Sequence, residues 1–277
     1  MQENYRQLLT YAYNITGSYE DSQDLVQDVL EKYISLDKAE IRNEKNFLIK
    51  STINHAINFK NRHTKKMVYG EWLPEPLSFD NAENRLIQEQ TARYTLLVLL
   101  EKLTVKERAV YILKEAFDYS HQEIAQLLDI SAENSRKLLS RATKHLQNIE
   151  YKPDHINSSI SHETLSQYQK ALSEGSIPML EELLLNDIRL SADGGQRVRV
   201  IKAVEVGKSA TAALLAYVQQ QFLNHKPFTF HRFNHQPAIC FWRENQIYNC
   251  HILDVDRDGR IREIYSIVDP EKLKRLT

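Results

Sequence analysis

The chain is poor in cysteine, proline and glycine, with two, seven and seven residues in 277. Two cysteines cannot build a disulfide framework, and Cys240 and Cys250 lack metal-ligand spacing. Both read as reduced residues of a core or strand, and no metal or cofactor is expected. No run of about 18 uncharged apolar residues exists to span a bilayer. The polar start Met1-Gln2-Glu3-Asn4 lacks the basic and apolar regions of a signal peptide. A cytoplasmic protein with no membrane partner is the expectation. A net charge of only −1 argues against a domain that grips DNA unaided.

What is present is ordinary globular material, 42% hydrophobic and 26% charged, with length enough for two or three domains. The charge is uneven. Acids dominate from Glu20 to Glu40 (Glu20, Asp21, Asp24, Asp28, Glu31, Asp37, Glu40), whereas Arg42 to Lys66 is basic. Residues 1–66 contain no proline and one glycine, and Tyr5, Leu8, Leu9, Ala12 and then Leu25, Val26, Val29, Leu30, Tyr33 recur at helical spacing. An all-helical first domain follows. In Trp72-Leu73-Pro74-Glu75-Pro76, prolines at alternate positions exclude a helix, so residues 67–93 read as a linker or docked loop.

Helical spacing resumes near Thr95. Thr104 with Glu107 and Ser120 with Glu123 fit the capping box, and Ser131 is a third candidate N-cap. The helices expected are about 105–117, 121–128 and 132–147, a helix-turn-helix arrangement filling residues 94–150. After a polar connector, 151–160, the pattern changes. Two short helical segments lead to the turn Asp193-Gly194-Gly195, a longer helix covers about Lys208 to Asn224, and Phe228 to Val268 reads as successive strands. Residues 161–277 are therefore expected to be an α+β domain.

Three faces carry candidate chemistry. Asp24, Gln27, Asp28 and Glu31 gather on one side of the second helix, opposite its apolar stripe. By spacing alone a solvated face is the better reading, and only the surrounding motifs change that. In the next helix, about Lys45 to Arg62, the outward residues are Lys50, Asn54, Asn58, Asn61 and Arg62, with cations for phosphates and amides for base edges. Phe47 reads as core. In the third short helix Asn134, Lys137, Ser140, Arg141 and Lys144 face outward, which suits a major-groove reader.

These pieces in this order resemble a known family. Gly17-Ser18-Tyr19-Glu20-Asp21-Ser22-Gln23-Asp24-Leu25-Val26-Gln27-Asp28-Val29, with Phe47-Leu48 through Asn58, resembles domain two of extracytoplasmic-function (ECF) sigma factors. Leu103-Thr104-Val105-Lys106-Glu107-Arg108 and Ser120 to Ala125, onward to Ser140-Arg141-Ala142, resemble their domain four. The segment Trp72 to Pro76 resembles the linker motif of a subgroup fused to a SnoaL-like, NTF2-type domain, a cone-shaped α+β fold. Two further subgroup motifs have looser counterparts. Asp193-Gly194-Gly195-Gln196-Arg197 stands where the subgroup has Asp-Gly-Gly-Gly-Lys, and Asp269-Pro270-Glu271-Lys272-Leu273 where it has Asn-Pro-Asp-Lys-Leu.

The resemblance implies an alternative sigma factor, not an enzyme, that brings core RNA polymerase to promoter DNA. It implies that Asp24, Gln27, Asp28 and Glu31 dock on the clamp coiled coil of the largest polymerase subunit. Lys50, Asn54, Asn58 and Arg62 would face the minus-ten element, and Asn134, Lys137, Ser140, Arg141 and Lys144 the minus-35 element. Trp72, Leu73, Pro74, Glu75, Pro76, Asp193, Gly194, Gly195, Arg197, Asp269, Pro270, Lys272 and Leu273 would form regulatory contacts. Two alternatives stand beside this. The SnoaL-like domain could sense a small molecule, or it could be a cyclase, isomerase or hydrolase using His231, His235 or His251 with Asp254 as an acid-base pair.

Overall fold

The computed structural model describes residues 2–36, 41, 43–62, 69–78, 90–147 and 158–276. Parts of the expected linker (67–68 and 79–89) and connector (151–157) lie outside these residues. The chain divides into two compact units: residues 1–64 with 79–151, and residues 65–78 with 152–277.

The first unit is helical: α1 (Gln2–Thr16), α2 (Tyr19–Ser35), α3 (Glu44–Arg62), α4 (Tyr94–Leu100), α5 (Val105–Glu115), α6 (His121–Leu128) and α7 (Ala132–Gln147). Local chemistry sets these boundaries. The Ser18 hydroxyl caps α2 by accepting from Asp21 N, and both capping boxes, Thr104/Glu107 and Ser120/Glu123, are closed. The α6 helix stops where Asp129 adopts a left-handed conformation at φ 51°, and the Ser131 hydroxyl then accepts from Asn134 N at the start of α7. Leu25, Val26, Val29 and Tyr33 of α2 are buried with Leu48, Ile49, Ile53, Ala56 and Ile57 of α3 and Leu8, Leu9, Ala12 and Ile15 of α1. Phe47, read as core, is only half-buried, as are Leu30 and Leu139.

One buried cation is built into this unit. Arg108 is 1% exposed, its Nε donates to Asn14 O at 3.0 Å, and its guanidinium pairs with Glu101. Lys60 also reaches Glu101, at 2.9 Å. Burial opposes ionisation of Glu101, yet the Arg108 and Lys60 cations hold its carboxyl below the usual range.

The second unit contains α8 (Ser158–Ser173), α9 (Ile177–Leu183), β1 (Leu184–Asp193), β2 (Glu205–Val206), α10 (Lys208–Val218), β3 (Phe228–Phe233), β4 (Gln236–Arg243), β5 (Gln246–Val255), β6 (Ile261–Ile267) and α11 (Pro270–Leu273). The strands form one sheet in the order β2-β1-β6-β5-β4-β3, antiparallel except for the β1–β6 pair. Two details differ from the sequence reading. The approach to Asp193 is strand β1, because Leu184, Ile188 and Leu190 pack into the sheet core instead of forming a helical stripe. The long helix ends at Val218 and finishes in a π-helical turn, Gln219–Leu223.

Ile239, Phe241, Leu253, Val255 and Ile264 pack from one sheet face against Leu165, Tyr168, Leu172, Ala212 and Leu215 of the helices. The opposite face is buried too. Residues 69–78 enter as an extra rib, bridging Gly70 to Asp193 and Ser78 to Phe233.

Candidate functional site

On α2 the structure leaves Asp24, Gln27, Asp28 and Glu31 exposed together, with Gln27 Nε2 donating to Glu31 Oε1 at 3.0 Å. Ile34, one turn beyond Glu31 on the same side, is 74% exposed.

On α3 the expected reading face is split. Asn58 and Arg62 are exposed. Lys50 Nζ instead reaches Asp129 Oδ1 at 2.6 Å, and Asn54 Nδ2 donates to Leu127 O at 3.1 Å. Both targets lie at the C-terminal end of α6, where orphan carbonyls and the negative end of the helix dipole attract a cation and a donor. On α7, by contrast, Asn134, Lys137, Ser140, Arg141 and Lys144 are all exposed, while Ser135, Leu138, Ala142 and Leu146 face inward. Lys137 makes a 2.7 Å bridge to Glu133 along the same helix.

In the second unit the three subgroup motifs meet at one carboxylate. Asp193 is fully buried at the end of β1. Its Oδ1 accepts from Gly195 N at 2.8 Å, and its Oδ2 accepts from Leu73 N at 2.8 Å and from Lys272 Nζ at 2.5 Å. Lys272 Nζ also donates to Leu73 O and lies 4.5 Å from the Trp72 ring centroid. A desolvated cation is thereby matched by a carboxylate, a carbonyl and an aromatic face, which is what burial of an ammonium requires. The other motif residues brace this latch. Asp269 caps α11 through Glu271 N, Pro270 opens the helix, and Leu273 is buried. Arg197 pairs with Glu271 at 3.0 Å, and Glu75 lies 3.8 Å from Arg275, while Pro74 and Pro76 are buried.

The turn Asp193-Gly194-Gly195 is a close approach. A Cβ on Gly194 would sit 1.7 Å from Val198 O, and one on Gly195 would strike the Asp269 carboxylate. Gly70, which sequence reasoning passed over, is just as constrained: φ is +88° and a Cβ would lie 2.0 Å from Ala192 O. Also missed were Asn234, which exchanges hydrogen bonds with the backbone of Leu77, and the Ser191–Glu71 hydrogen bond at 2.7 Å. A glycine next to the aromatic-proline motif was the one available signal.

Of the histidines in the enzymatic alternative, His251 and His231 are engaged with groups other than Asp254. His251 turns to the helix-covered face, where its Nδ1 lies 3.0 Å from the buried Tyr168 hydroxyl. Burial lowers its pKa to about 4. Asp254 faces the other way, held by Gln236 and by Arg262 at 3.2 Å. His231 bonds Thr229 and stacks on Phe233.

Comparison with known proteins agrees with this division. Residues 1–66 match the family "Sigma-70 region 2" and residues 93–146 match "Sigma-70, region 4". The ECF RNA polymerase sigma factor SigJ of Mycobacterium tuberculosis is 25% identical over 77% of this chain and 70% of its own length. A probable ECF RNA polymerase sigma factor SigI of the same species is 24% identical over 97% of this chain and 92% of its own. The crystal structure of the M. tuberculosis SigJ superposes with a TM-score of 0.76 at 20% identity, covering 98% of this chain and 95% of that one. The two helical regions are followed in the chain by the α+β sheet domain.

Proposed function

We infer, for a chain that belongs to the ECF sigma factors, that it directs core RNA polymerase to a specific set of promoters in the cytoplasm and carries its own regulator in the third domain. The acidic face of α2 is the polymerase-docking surface, fitted to a basic stretch of the clamp coiled coil. The face of α3 bearing Lys50, Asn54, Asn58 and Arg62 reads the minus-ten element. The face of α7 bearing Asn134, Lys137, Ser140, Arg141 and Lys144 reads the minus-35 element.

The observation that carries the regulatory part is the latch. The segment joining the two reading domains is held inside the third domain by Asp193, Lys272 and Leu73. A sigma factor must set its two reading helices at the separation of two promoter elements. Immobilising residues 69–78 removes about 33 Å of extended reach from the chain between them. Docking and release of the linker therefore alter how the reading domains engage one promoter. Lys50 and Asn54 must leave the end of α6 before they touch DNA, so promoter engagement includes an opening step inside the first unit.

Run-off transcription with core polymerase tests this reading on the full chain, a chain cut just before Asp269, one cut near Ser161, and Trp72→Ala. The Asp269 cut and Trp72→Ala are expected to change promoter output in the same direction. The Ser161 cut should change it differently, because it removes the docking sheet altogether. Equal output and equal solution scattering from all four proteins would sink the regulatory role and revive the independent-enzyme alternative. Asp24→Lys with Asp28→Lys should abolish co-purification with core polymerase while helical content stays unchanged. Unchanged binding refutes the α2 assignment.

A further inference from the structure

Cys240 and Cys250 face each other. They are direct partners across the antiparallel β4–β5 pair, and both are free and buried. Directly opposed residues in an antiparallel pair have Cα atoms about 4.5 or 5.5 Å apart. Either value falls inside the range of about 4.4–6.8 Å that a disulfide needs.

The pair also shares a row with the latch. Asp193 is opposite Ile267, Ile267 opposite Cys250, Cys250 opposite Cys240, and Cys240 opposite Thr229. Residues paired in this way project from the same side of a sheet. The two thiols therefore lie on the face that carries the Asp193 carboxylate, with Cys250 two strands away, about 10 Å. The linker crosses this face. It is pinned to β1 at Asp193 and to the β3–β4 turn at Asn234, so its path passes over β6, β5 and β4, and Leu73 within it is fully buried.

We propose that Cys240 and Cys250 are a guarded dithiol, closed to a cross-strand disulfide by a small hydroperoxide when the linker lifts from the sheet. One thiol sulfur attacks the peroxide, and with hydrogen peroxide this gives a sulfenic acid and one water. The second thiol attacks the sulfenic sulfur; the S–S bond forms, the S–O bond breaks, and the oxygen leaves as a second water. Two electrons pass from the thiols to the peroxide, and both thiol hydrogens end in water. Burial raises the Cys250 thiol pKa well above its ordinary value, which suppresses the reactive thiolate while the sheet face stays covered. Closure draws the sulfurs to about 2.05 Å and reshapes the packed surface on which the linker rests. By linkage, whatever lifts the linker favours the disulfide, and the disulfide favours lifting. The consequence for transcription rests on the latch reading above; thiol closure itself does not.

The test uses the reduced full chain, hydrogen peroxide, quenching by alkylation in denaturant, and intact mass. The expected product has lost two hydrogens and gained no oxygen, in a monomer. Trp72→Ala should form it at least about tenfold faster than the wild type, and Cys240→Ser should not form it. Should Trp72→Ala fail to fold, the wild type in denaturant below its unfolding transition replaces it, and closure should accelerate there. Oxygen adducts without hydrogen loss, a cross-link between chains, or acceleration only at global unfolding would overturn the proposal. A disulfide that forms as expected yet leaves transcription unchanged would count against the latch reading alone.

Discussion

Each unit is fastened by a lysine–aspartate bridge, Lys50–Asp129 at 2.6 Å in the first and Lys272–Asp193 at 2.5 Å in the second. The chemistry and distance are the same; the surroundings are not. The side chains of Lys50 and Asp129 are 40% and 74% exposed, whereas those of Lys272 and Asp193 are 7% and 0%. An exposed pair contributes about 0–1 kcal/mol, since water competes for both ends. A buried pair gains little over an apolar substitute, but breaking it strands a charge and costs about 3–5 kcal/mol. The first bridge can open at little cost. The second opens only if something else takes over the ammonium or the whole linker leaves.

The largest expected effect is Lys272→Met, with a loss of about 3–5 kcal/mol in the unfolding of the second unit by urea. Adding Asp193→Asn should restore part of that loss, because the amide is neutral; its single oxygen keeps one of the two bonds from Leu73 N and Gly195 N, and its NH2 loses the other. A double variant no more stable than Lys272→Met would break the contrast drawn here.

Burial can be tested next through pH. His251 titrates near 4 in the folded chain against an ordinary value of 6.5, so below 6.5 the unfolded state takes up protons that the folded state refuses. This contribution is complete above pH 6.5 and is lost progressively down to pH 4, a total of about 3 kcal/mol. His251→Gln should flatten the stability curve across that window; an unchanged slope would show that another group is responsible.

Lys50→Met should cost the first unit less than about 1 kcal/mol. If its melting midpoint fell as far as that of Lys272→Met, the exposed bridge would be no reversible fastener. The smallest effects are expected on α7. Lys144→Ala should weaken all promoters alike and reduce the salt slope of DNA binding by about one, while Lys137→Ala should alter preference within the minus-35 element. Promoter titrations with the holoenzyme at two salt concentrations separate the two.

Local signals in the sequence located α5, α6 and α7 well, because Thr104, Ser120 and Ser131 cap helices within three residues of themselves. They did less well where the partner is distant. Strand β1 was passed over between the two helical segments and the Asp193 turn, because its pairing with β6 leaves no trace in the run Leu184 to Leu190. Lys50 was assigned outward from its wheel position, and nothing nearby in the chain indicates that Asp129, 79 residues later, takes its ammonium. The residues of the latch were all singled out as motifs, but motif by motif. That Leu73, Asp193 and Lys272 converge on one ion pair is a property of the fold.

The latch also has an order of assembly. Leu73 and Lys272 are separated by 199 residues, with the helix-turn-helix region between them. During synthesis at about 5–20 residues per second, the linker leaves the ribosome about ten seconds or more before its lysine exists. In that interval both reading domains can fold, while the linker's apolar and proline-rich rib has no sheet to lie on. Until Lys272 is made, a nascent chain lacks the ion pair that holds the linker on the sheet, and on the proposed reading it lacks its restraint.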